Sequence, residues 1–202
     1  MTVFHRNETR EPLPEHLRGG VIAIGNFDGV HRGHQSVLDR ALEIAAERGV
    51  PALVLTFEPH PRTVFKPETP VFRLTPATLR ARILEAMGFG AVIEYPFDRG
   101  FSQRSAEDFI HAILKEWLGA SEVVTGFDFH FGRGREGGPA FLMDAGQKYG
   151  FGVTLIDAFR DENSDVVSSS RIRALLKDGE VSEAAGLLGY HYTVESEVIG
   201  GE

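Results

Sequence analysis

Short unbroken apolar runs alternate along this chain with longer stretches in which apolar positions return every three or four residues. Residues 21–24 (VIAI), 51–57 (PALVLTF), 91–95 (AVIEY), 121–126 (SEVVTG) and 151–156 (FGVTLI) are the short runs. Their length and composition predict strands covered on both faces of a parallel sheet. Between them, Val37, Leu38, Ala41, Leu42, Ile44 and Ala45 trace one helical stripe that Gly49 stops. The same spacing predicts helices over 77–88, 105–118, 139–150, 168–179 and 181–189. Ser105 and Asp108 have the separation of a capping box. Strands and helices alternate without hairpin signals, so the expected class is α/β: a doubly wound parallel sheet of about five strands with helices on both faces.

Three stretches fall outside this rhythm. Residues 1–20 are charged, contain two prolines and read as a lead-in ending in an edge strand. Residues 58–76 carry five prolines and no usable period; connections of that length are often functional. Residues 127–138 are rich in glycine, and 190–202 turn to strand-like alternation.

Composition narrows the chemistry. At 202 residues and 42% hydrophobic content the chain can bury one good core. The absence of cysteine removes thiolate nucleophiles, thiolate metal sites and disulfides. A net charge of −8 argues against a nucleic-acid partner, so any phosphate binding must come from a local cluster of Arg and His. No apolar stretch has the roughly 20 residues of a membrane span and the first residues lack a signal core, so the expectation is a cytoplasmic protein without a membrane partner.

Residues 21–34, VIAIGNFDGVHRGH, concentrate the candidate chemistry. A buried strand meets a turn broken by Gly25, Asn26, Asp28 and Gly29, and Gly33 opens the helix. His31 and His34 sit at that helix entry, where free backbone N–H groups and the positive end of the dipole suit an anion. The i, i+3 pair is a poor zinc site, lacking an obvious third ligand. The plain alternative is local capping and packing. A second anion site is expected at Ser168, Ser169 and Ser170, three hydroxyls followed by Arg171 and Arg173. Arg133 and Arg135 read as a solvated loop pair outside any site.

In this setting His31-Arg32-Gly33-His34 is similar to the H-x-G-H signature of nucleotidyltransferases. The longer string 25–34 resembles the opening motif of the bacterial bifunctional riboflavin kinase/FMN adenylyltransferase (FAD synthetase) family. Residues 57–62 (FEPHPR), 126–132 (GFDFHFG) and 168–173 (SSSRIR) resemble three further motifs of that family in the same order. Departures are Ser170 for the usual Thr, Phe127 where a polar residue is common, and Tyr190-His191 for the usual Arg-Pro.

The resemblance implies a Rossmann-like sheet and an enzyme that transfers AMP from ATP to FMN, giving FAD and pyrophosphate, with Mg2+ bound through the ATP phosphates and not by a protein metal site. It implies His31, His34 and Arg173 as catalytic residues, the histidines on the α- and β-phosphates. Gly25, Asn26, Phe27, Gly33, Asp128, Ser168, Ser169 and Ser170 fall on the ATP side, and Asp28, Phe57, Pro59, His60, Pro61, Arg62 and Phe129 on the flavin side, with Asn26 and Asp28 also shaping the first loop. Residues 1–188 are then the adenylyltransferase domain, and 189–202 the truncated start of a riboflavin kinase domain otherwise missing in cis, so no kinase activity is expected. The alternatives are another nucleotidyltransferase, acting on pantetheine phosphate, nicotinamide mononucleotide or a cytidine nucleotide, and a flavin or nucleotide sensor that binds without turnover.

Overall fold

The computed structural model describes residues 2–5 and 12–195. Six parallel strands form one sheet in the order β1-β4-β3-β2-β5-β6: Thr2–His5, Val21–Ile24, Ala52–Glu58, Ala91–Pro96, Glu122–Gly126 and Gly152–Ile156, named β1 to β6 along the chain. The expected five are all present. The sixth is the edge strand of the lead-in, which lies at its start and not at its end, alongside β4.

The continuous apolar runs divide by parity, as the two-residue period of a strand requires. Ile22, Ile24, Leu53 and Leu55 face one core. Val21, Ala23, Ala52 and Val54 face the other. Helices α1 (Arg32–Arg48) and α3 (Ala77–Met87) cover the second face. The first is covered by α4 (Ala106–Asp108, continuing as a π-helix through Phe109–Trp117) and α5 (Pro139–Tyr149). A third cluster joins α6 (Ser169–Asp178) and α7 (Val181–Leu188) to Leu74, Val167, Tyr190 and Tyr192. The tail beyond Leu188 thus packs on this body; residues 196–202, with most of the expected strand-like alternation, lie outside the described residues.

Glycines in left-handed geometry close α1, α3, α5, α6 and α7, at Gly49, Gly88, Gly150, Gly179 and Gly189, where the sequence places the stops. The capping box at Ser105 forms by half: its hydroxyl accepts from Asp108 N at 3.1 Å, while the Asp108 carboxylate turns to Arg104 at 2.8 Å. The Pro-rich stretch is not wholly irregular, since Pro61–Phe65 makes a short helix, α2. At the amino end of the sheet, the buried Glu122 binds Arg48, in the last turn of α1, at 2.8 Å and Thr154 at 2.7 Å.

After β2 the chain builds outward through β3 and β4, then crosses back to place β5 on the other side of β2. The order reverses there, and a crevice opens at the carboxyl ends of β2 and β5.

Candidate active site

A single cavity of about 1030 Å³ occupies this crevice, at the upper end of the range for small-molecule sites. Every residue assigned to the site from sequence lines it except Pro59, whose peptide bond with Glu58 is cis. Pro59 lies in the turn between β3 and α2, while its neighbours His60 and Pro61 reach the cavity.

The loop from Gly25 to His31 is held mainly through its carbonyls. Asn26 O accepts from Thr56 Oγ1 (3.2 Å) and Arg80 (3.3 Å), Phe27 O from Val30 N (3.2 Å), and Asp28 O from Ser169 Oγ (2.8 Å). Gly29 N donates to Thr75 Oγ1 (2.8 Å), Gly29 O accepts from the Tyr190 hydroxyl (2.6 Å), and Val30 O from Gln35 (2.8 Å). This anchoring of successive carbonyls matters because Phe27 and Val30 have φ of 47° and 37°, a region costing about 1–3 kcal/mol per residue and kept only when the surroundings over-determine it. At Gly25 an added Cβ would stand 2.9 Å from the Phe27 ring.

His31 caps α1: its Nδ1 accepts from His34 N at 3.2 Å. The neutral ring then carries its proton on Nε2 and offers it as a donor. The His31 and His34 rings stack at 3.6 Å with 16° between planes, and Phe27 meets His34 edge-on at 5.4 Å. Burial lowers the His31 pKa from 6.5 to about 4, against the opposing pull of Asp28. His34 is pushed well below 6.5, by burial first and then by His31, Arg173 and Arg80. Gly33 suits this packing, since a Cβ there would crowd the His31 ring at 3.2 Å. His34 Nδ1 is buried with no hydrogen-bond partner among the described residues, an orphan that a polar ligand would satisfy.

At the start of α6, Ser168 accepts from Arg171 N at 3.3 Å. Ser169 spends its one hydroxyl proton on Asp28 O, so it props the first loop and is not a free phosphate donor. Ser170 is exposed on the cavity wall. Arg173 donates to Phe72 O at 2.7 Å and pairs with Asp28. Asp28, expected both to shape the first loop and to stand on the flavin side, is a buried anchor whose carboxylate takes Arg173, Arg73 (3.4 Å) and Thr75 N (3.0 Å).

That pair begins an alternating chain of charges. Arg73 continues to Glu58 (3.0 Å), Glu58 to Arg80 (3.2 Å), and Arg80 to Glu94 (2.8 Å). Arg80 is fully buried. In sequence, Arg73 and Arg80 look like ordinary surface charges, and only topology brings them together.

The other end of the cavity is aromatic. Phe57 packs against Phe97, Phe101 and Phe109, and Phe131 against Phe109 and Phe129. Phe131 is core, Phe129 is half-buried, and Phe127 is exposed on the cavity wall with Asp128. His60 caps α2, its Nδ1 accepting from Arg62 N at 3.1 Å, and burial, then Arg73, lower its pKa to about 4. Phe97, Phe101 and Arg104 also line this end and were not expected from sequence. Arg135, read as solvated, lines the cavity beside His130 at 3.3 Å, whereas Arg133 does not line it.

A crevice at a strand-order reversal, with helix N-termini and imidazole and guanidinium donors around it, defines the class of nucleotide-binding α/β proteins. The FAD synthetase family model matches residues 13–171, and the chain belongs to that family. It is 37% identical over 184 residues to the bifunctional riboflavin kinase/FMN adenylyltransferase of Escherichia coli strain K12, covering 91% of this chain and 58% of that one. To the FAD synthetase of Listeria monocytogenes it is 35% identical over 187 residues, covering 92% and 74%. A crystal structure described as a macrolide-efflux protein from Streptococcus pneumoniae superposes with TM-score 0.82 at 26% identity, covering 94% and 60%. The chain thus spans little more than half the length of the bifunctional relative. Among the described residues no helix is long and apolar enough to cross a membrane, and no group of three or more His, Asp or Glu is placed to hold a metal.

Proposed function

We propose that this chain is an FMN adenylyltransferase, acting on FMN and ATP. One observation carries the reading: the stacked His31–His34 pair at the entry of α1 opens into the same cavity as the aromatic wall around Phe57 and Phe129. The donors suit phosphates, the wall suits a flat ring system, and the volume suits two nucleotides at once.

A phosphate oxygen of FMN attacks the α-phosphorus of ATP in line. The new O–P bond forms as the bond to the β,γ-pyrophosphate breaks, so FAD and pyrophosphate leave together. FMN brings its own nucleophile, which leaves the protein positioning and charge stabilisation. His31 Nε2–H and His34 serve the α- and β-phosphates. Arg173, Ser168 and Ser170 serve the leaving pyrophosphate. Asp128 takes the ATP side, and His60, Pro61, Arg62, Phe57 and Phe129 the flavin side. Mg2+ enters as part of the ATP substrate, held by phosphate oxygens and water, in keeping with its preference for hard oxygen ligands. Residues 1–188 make up the body of this module, 189–202 lead toward a riboflavin kinase domain while Tyr190 and Tyr192 still pack on the module, and the setting is cytoplasmic.

The test is to incubate the chain with FMN, ATP and Mg2+ and track both products. Equimolar FAD and pyrophosphate are expected. Binding of FMN without pyrophosphate release would replace the enzyme with a sensor, and neither product nor binding would point to another phosphorylated acceptor.

A further inference from the structure

Gly29 is gripped on both its peptide groups by residues remote in the chain. Its N–H goes to Thr75 Oγ1 at 2.8 Å, 46 residues on, and its carbonyl takes the Tyr190 hydroxyl at 2.6 Å, 161 residues on. Its φ is +90°, and an added Cβ would stand 2.8 Å from Leu74 and 3.5 Å from Leu188. Thr75 is buried. Burial, and then Asp28, raise the Tyr190 hydroxyl to about 12, so it remains a donor at neutral pH.

The grip matters because strained backbone and the first imidazole come directly after it. Val30, with φ of 37°, connects Gly29 to His31. A β-branched residue in that region relaxes when its neighbours release it. Relaxation would turn the His31 peptide and part Nδ1 from His34 N, the contact that fixes the tautomer and the stack. Thr75 N also donates to Asp28 Oδ1 at 3.0 Å, on the carboxylate that holds Arg173.

We propose that Thr75 and Tyr190 are positioning residues for phosphate binding, clamping the Gly29 peptide from opposite sides so that Val30 stays left-handed and the two imidazoles stay in register. The inference rests on the adenylyltransferase reading only in supposing that the imidazoles meet ATP phosphates. Neither clamp touches substrate, and each acts through the loop.

The experiment compares Thr75→Val, Thr75→Ser and Tyr190→Phe with the unaltered chain, measuring kcat, both KM values, thermal midpoint, and titration with a non-hydrolysable ATP analogue plus Mg2+. Thr75→Val and Tyr190→Phe should each lower kcat/KM for MgATP about tenfold, the scale of one hydrogen bond. The KM for FMN should stay within about twofold, analogue binding should weaken in parallel, and Thr75→Ser should recover most of the loss. Thermal midpoints that fall while kcat/KM for MgATP holds would overturn the proposal, as would equal rises in both KM values. An unaltered chain that makes no FAD would overturn the proposed function instead, and the analogue titration would then decide the clamp alone.

Discussion

His31 and His60 use the same local device in different settings. Each caps a helix that comes after a strand, each accepts a backbone N–H on Nδ1, at 3.2 and 3.1 Å, and burial lowers each to about 4. His31 is buried, stacks on a second imidazole, and starts a helix of 17 residues on a loop anchored through the carbonyls of residues 26–30 and the N–H of Gly29. His60 starts a helix of five residues that ends at Phe65, more than half exposed, and no ring among the described residues stacks on it. A capping histidine therefore does not by itself make a rigid site; rigidity comes from what holds the preceding loop. One half of the cavity is built before any ligand arrives, and the other has room to adapt.

The largest test of this contrast is His34→Ala, which should cut FAD formation about 100- to 1,000-fold with the fold intact, the cost of losing one preorganised phosphate donor. His60→Ala should cost only about tenfold, mostly in the KM for FMN; equal losses in steady-state assays would erase the distinction. Arg80→Met should destabilise the chain by about 3–5 kcal/mol, because the buried Glu94 and the half-buried Glu58 lose a counter-ion. Urea denaturation measures that, and a change under about 1 kcal/mol would show that the charge chain does not secure the loop. Arg173→Ala should raise the KM for MgATP several-fold more than that for FMN, and the reverse ranking would exchange the two substrate sides.

The smallest effect concerns pH. His31 and His60 have folded pKa values near 4 against 6.5 in the reference state. Between those values the unfolded chain binds more protons, so stability is full above about 6.5 and declines as pH falls toward 4. His31→Gln and His60→Gln should each flatten that slope. Saturating MgATP should raise the His31 pKa, because phosphate charge favours the imidazolium, and leave His60 nearly unchanged. Imidazole proton resonances would report both, and equal movement of the two would contradict the contrast.

The strands, their parity and the glycine stops were legible because they rest on local rules of period and backbone geometry. Most of the assigned residues line the cavity for a related reason: motif residues come directly after strand ends, where an α/β sheet delivers them. Arg73, Arg80, Thr75 and Tyr190 were not legible, since their partners lie between 14 and 161 residues away and no short window registers such pairings. Asp28 and Ser169 line the expected cavity, but sequence does not show that each already has a partner within the protein, the Asp28 carboxylate with Arg173, Arg73 and Thr75 N and the Ser169 hydroxyl with Asp28 O. The π-helical continuation over Phe109–Trp117 left no distinct mark on an apolar pattern that an ordinary helix also satisfies.

The ion pair between Arg48 and Glu122 lies far from any substrate, yet it bears on accuracy at the other end of the same rod. Seventeen residues make α1 about 25 Å long, with the imidazoles at one tip and the ion pair at the other. A tilt of only about 2° at the anchored tip would swing the opposite tip by about 1 Å, a misplacement that can cost on the order of 100-fold in rate. Glu122 therefore works as the fixed end of a lever, holding the aim of His31 and His34 from across the whole sheet.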